Sequence, residues 1–116
     1  VWKILHATGD AYEVQPVIAI IDHRLEVDQM PGAVMGSIDM ADYLNGLTGT
    51  AVTVAVSQWG TGPSVRMMFG YDSVGQVQER TAVATADPGF MERAKAFQND
   101  VGRSIESRSS VLRRIA

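Results

Sequence analysis

Asp22 and His23 close the apolar run Val17-Ile18-Ala19-Ile20-Ile21. A carboxylate near an imidazole can orient the ring and raise its pKa, as general-base catalysis requires. These two residues are the chain's best catalytic candidates. The run before them is short and β-branched, so it reads as a buried strand, with Pro16 suited to its first position. Successive strand residues point to opposite faces, which keeps the two side chains from meeting. Asp22 then reads more naturally as the cap of a β-turn, and catalysis is the weaker of the two readings.

Other chemistries find less support. His6 and His23 lie among Asp10, Asp22, Glu26 and Asp28, but no HxH, HExxH or spaced carboxylate loop is present. No metal site and no cofactor is expected. Ser57, Ser64 and Ser73 stand outside any GxSxG context. The glycines of "QWGTGPS" (58–64) invite an anion-binding reading, but such a loop must open a helix, and here a strand follows. It reads as a hairpin corner.

Interaction surfaces are the stronger expectation. If Trp59 pairs with Ser64, then Val52, Val54 and Val56 oppose Tyr71, Phe69 and Met67 on one face. Trp59, Arg66 and Met68 then share the wetter face, where Trp59 would mark a partner site unless a helix covers it. Met30, Met35, Met40, Met67 and Met68 read mainly as irregular core filling, and otherwise as an adaptable binding surface. Asp87 and Pro88 open a helix that the apolar period of Phe90, Ala94, Phe97, Val101, Ile105, Leu112 and Ile115 extends to the C-terminus. Such a helix reaches about 40 Å, longer than the domain requires. Ile105, Val111, Leu112 and Ile115 would then pass the sheet edge and need a partner, unless the helix breaks at Gly102 and folds back.

The elements that would hold these residues follow from periodicity. Strands are expected at 17–21, around Leu25 and Val27, at 50–59, at 64–71 and, more weakly, at 76–86. Apolar spacing at Val34, Ile38, Ala41 and Leu44 predicts a helix over 37–46, with Ser37 as its cap. Residues 1–15 fit a short helix or a strand. The expected architecture is an α+β domain over 1–116: one antiparallel sheet of about four or five strands flanked by helices, with a core over about 1–100 and a long C-terminal helical extension over about 101–116. This element order occurs in PAS-like and profilin-like domains, an analogy of order without resemblance in sequence.

Composition bounds the rest. The chain has 116 residues, no cysteine, 46% apolar residues and a formal charge of −3. That suits one globular domain, removes thiolate chemistry, and argues against a general nucleic-acid binder. No apolar run approaches the ~20 residues of a membrane span. The compartment stays unknown, the cytoplasm slightly favoured. The leading expectation is a non-catalytic regulatory, ligand-sensing or assembly module that self-associates through its C-terminal helix, with a protein partner or a small-molecule ligand. The alternatives are a small enzyme or cofactor-binding domain, with a pocket between the sheet and helix 37–46 served by Asp22, His23 or Tyr43, and a structural subunit of a larger assembly.

Overall fold

Alternating and β-branched runs form the strands β1 (Lys3–Ala7), β2 (Val17–Arg24), β3 (Ala51–Ser57), β4 (Ser64–Tyr71) and β5 (Glu106–Arg113). The helices are α1 (Met30–Thr48), α2 (Val74–Ala86) and α3 (Pro88–Val101). The computed structural model describes residues 2–8, 16–57, 63–101 and 106–113. Every strand pairing is antiparallel, and the sheet runs in the order β1-β3-β4-β2-β5. Without β1, this is the ferredoxin-like β-α-β-β-α-β arrangement, with α2 and α3 together forming the second crossover. Among the described residues, no helix is long and apolar enough to cross a membrane.

Strand alternation divides the sheet into two faces. Val17 and Ile21 of β2, Val52 and Val54 of β3, and Val65, Met67 and Phe69 of β4 pack with Ala33, Ala41 and Leu44 of α1. Val52, Val54 and Val65 are wholly buried there, each contributing roughly 1.5–3 kcal/mol of transfer free energy. On the other face Arg66 donates to both oxygens of Asp22, at 2.7 and 2.9 Å. Its guanidinium also lies 4.1 Å from the ring centroid of Trp2.

The antiparallel α+β expectation holds, with local corrections. Ser57 pairs with Ser64 and Val54 with Met67, so the hairpin register is two residues from the expected one. An even shift keeps every side chain on its face, which is why the core face was still read correctly. Leu25 is buried and Val27 exposed in a 3-10 turn over Val27–Gln29, so no second strand forms there. The helix expected over 37–46 extends across Met30–Thr48.

Residues 76–86 are helical, not a third strand. Ser73 Oγ accepts from the Gln76 amide at 3.1 Å, and Gln76 Oε1 accepts from the Asp72 amide at 2.8 Å. This local capping starts α2 whatever the β-propensity of the residues that follow. The long C-terminal helix is also overturned, along with the helical extension over 101–116: α3 ends at Val101, and Glu106–Arg113 forms an edge strand on β2. The PAS-/profilin-like order gives way with it, because the crossover returns a strand beside β2. The β5 register sets Arg108 opposite Asp22 and Glu106 opposite Arg24. The helical stripe, by contrast, is interrupted at Arg108.

Gly49 ends α1 with φ +77°, its amide bonded to the Asn45 carbonyl at 2.8 Å. Gly49→Ala is expected to lower stability by roughly 1 kcal/mol through left-handed strain. The check is a lower urea midpoint at an unchanged m-value.

Candidate functional site

A β-strand delivers alternate residues to the helix side, and in β2 these include Ile21 and His23. From β4 come Met67 and Phe69. The same period that turns Asp22 away thus brings His23 beneath the helices. Above them lie Met40 and Leu44 of α1, and Phe90, Ala94, Phe97 and Gln98 of α3. Between the layers these residues line a partly open cavity of about 300 Å³. That is about twice the ~150 Å³ of a dry cavity that accepts benzene.

The wall is aromatic and soft. The chain has three phenylalanines, and all of them, Phe69, Phe90 and Phe97, line the cavity. Met40 and Met67 add polarizable thioethers that adapt to irregular shapes. Among the described lining residues, His23 and Gln98 are the polar ones, and no lysine, arginine or carboxylate is present. Gln98 is exposed, at the mouth. His23 meets Phe97 edge to face, with ring centroids 5.7 Å apart and planes at 65°. Burial pushes the His23 pKa below its ordinary 6.5, and the neighbouring charge of Asp22 only partly opposes this. At neutral pH the imidazole is therefore uncharged.

A polar clamp ties α3 to α1 beside the cavity. The Tyr43 hydroxyl donates to Asp87 Oδ2 at 2.5 Å, and the same oxygen accepts from the Phe90 amide at 2.8 Å. The tyrosine hydrogen bond, followed by the backbone amide, holds the Asp87 carboxyl below its ordinary pKa. The same bond to Asp87 raises that of Tyr43. Arg93 lies over the Tyr43 ring at 4.1 Å and reaches Asp39 at 3.2 Å. Asp87 and Pro88 thus start a helix as the sequence predicts, and the cap carboxylate also anchors the cavity's roof.

The structure separates the residues singled out in the sequence. His23 faces the cavity; Asp22 does not, and it is paired with Arg66 instead of capping a turn. Tyr43 serves the clamp. Arg66 has Trp2 beside it, while Trp59, Ile105 and Ile115 lie outside the described residues. Val111 and Leu112 occupy β5, opposite Ala19 and Ile18. The phenylalanines were missed as site residues. Their signal is the i, i+4, i+7 spacing of Phe90, Ala94 and Phe97, which in the sequence reads as the apolar stripe of a long C-terminal helix.

No protein-family model and no curated protein matches the chain. Solved structures do match. An uncharacterized NIPSNAP domain protein from Burkholderia xenovorans aligns with a TM-score of 0.68 at 17% identity, covering 86% of this chain and 95% of that one. An anthrone oxidase-like protein aligns at 0.77 and 15% identity, covering 99% of this chain and 54% of the other. SnoaB, a cofactor-independent oxygenase from Streptomyces nogalater, aligns at 0.61 and 13% identity, covering 84% and 91%. At these identities the likeness is one of fold.

Because the folded state disfavours the His23 imidazolium, the unfolded chain binds the extra proton more readily. The stability contributed by His23 staying neutral is therefore fully present above about pH 6.5 and is lost as pH drops from there through the lowered folded pKa. Urea midpoints measured at pH 7.5 and 5.5 should show this loss. The His23→Phe variant should reduce it, since the Asp87 contribution is lost only below pH 3.8.

Proposed function

We propose that this chain is a small-molecule-binding domain whose ligand is a flat, predominantly apolar ring compound with a hydroxyl or carbonyl group. The observation that carries the reading is the cavity of about 300 Å³ walled by three phenylalanines and holding one half-buried, neutral imidazole. Flat aromatic walls favour stacked or edge-on rings. With no cation in the described lining, a carboxylate ligand would lose its hydration without compensation, whereas a hydroxyl can donate to His23. The volume suits about two fused rings by comparison with benzene in ~150 Å³.

The neighbours' names support a catalytic form of this reading, since two of them are described as an oxidase-like protein and an oxygenase. In that form His23 touches the substrate hydroxyl and takes its proton, the role its neutral state allows. A ligand-sensing role uses the same cavity without turnover. Self-association through a C-terminal amphipathic helix loses its basis, because Glu106–Arg113 is a strand.

The test is calorimetric titration with 2-naphthol at pH 7.5. The wild-type chain binds, His23→Ala weakens binding about tenfold, the value of one lost hydrogen bond near 1.4 kcal/mol, and Asp22→Asn leaves it unchanged. Absence of binding, or equal weakening by both variants, contradicts the proposal.

A further inference from the structure

Phe97 is the wall residue that joins three parts of the cavity. It projects from α3, its ring meets His23 edge to face, and it is 9% exposed. It also lies against Gly36 in the middle of α1. A Cβ built at Gly36 falls 2.7 Å from Phe97 Cδ2, closer than real side chains approach, and a tight 3.3 Å from Cε2. Gly36 is thus where the Phe97 ring lies against the α1 backbone. By contrast, a Cβ at Gly32 or Gly46 on the same helix meets nothing within 4 Å.

A glycine inside a helix is unfavourable relative to alanine, so its presence calls for a compensating contact. Here the contact is the phenyl ring. The Phe97 ring has the α1 backbone on one side and lines the cavity with His23 on the other, so a methyl group added at Gly36 presses it away from α1 and towards the cavity. The volume open to a ligand therefore depends on one missing methyl group, although Gly36 itself does not line the cavity.

We propose that Gly36 is the size-determining residue of this site: by letting Phe97 lie on α1, it keeps the cavity deep enough for two fused rings in place of one. This rests on the small-molecule reading above and adds to it the residue that sets ligand size.

The experiment compares two probes, phenol and 2-naphthol, on the full chain by calorimetry at pH 7.5. Gly36→Ala is expected to weaken 2-naphthol about tenfold or more while phenol stays within threefold. Gly36→Ala combined with Phe97→Leu should restore 2-naphthol, because the smaller side chain makes room for the methyl group. Phe97→Leu alone should admit the three-ring probe 9-anthrol, which the wild-type chain rejects; this variant tests the idea even if Gly36→Ala fails to fold. If the wild-type chain binds 2-naphthol but Gly36→Ala changes both probes equally or neither, the size-determining role is wrong and the small-molecule reading stands. Failure of 9-anthrol to enter Phe97→Leu also overturns that role. If the wild-type chain binds neither phenol nor 2-naphthol, both proposals fall together.

Discussion

A strand can offer only every second side chain to the layer above it, and β2 and β4 work under that limit at the centre of the sheet. On the helix side they place Ile21, His23, Met67 and Phe69, which form the floor of the cavity. On the opposite side they place Asp22 and Arg66, which satisfy each other through two hydrogen bonds. The charges thus stay out of the apolar layer, where an unpaired carboxylate would be strongly unfavourable. His23 remains as the imidazole in an aromatic setting, and desolvation keeps it neutral.

The gap above this floor is set by how α3 attaches to α1. Small residues allow close approach at Gly36, where the Phe97 ring meets the helix backbone, and at Gly89, where a Cβ would fall on the Tyr43 hydroxyl. Between these points the Tyr43–Asp87 hydrogen bond and the stacking of Arg93 on Tyr43 fix the start of α3. The helix is held at its polar end and rests on an aromatic ring further along. Packing at both contacts with a short side chain on α3 between them, Ala94, leaves room for a cavity rather than a filled core.

Much of the sheet was legible in the sequence because a two-residue apolar period has few competing explanations. Val52, Val54 and Val56 against Met67 and Phe69 identified the buried face even with the pairing displaced, since a shift of two preserves sidedness. The helices were harder. Residues 76–86 contain valine and threonine at strand-like spacing, and what makes them helical is the capping by Ser73 and Gln76 just upstream. Leu112 falls in step with the helical stripe that starts at Phe90, but the place of residues 106–113 is set by β2, whose open edge takes a strand. Such a tertiary requirement has no local signature. At the site, His23 was identifiable by residue type. Phe90 and Phe97 were not, because an aromatic stripe that fills a core and one that walls a cavity have the same periodicity.

The fold is shared with a NIPSNAP domain protein, an anthrone oxidase-like protein and a cofactor-independent oxygenase at identities of 13–17%. The proposed function rests on a ligand seated among the residues that face the cavity between the sheet and the helices. The most direct measurement is a crystal structure of the chain soaked with 2-naphthol. The account predicts the rings between β2, β4 and α3, in contact with Phe69 and Phe97, with the hydroxyl within hydrogen-bond distance of a His23 ring nitrogen. Occupancy elsewhere on the molecule, with an unchanged and empty space beneath Phe97, would contradict it.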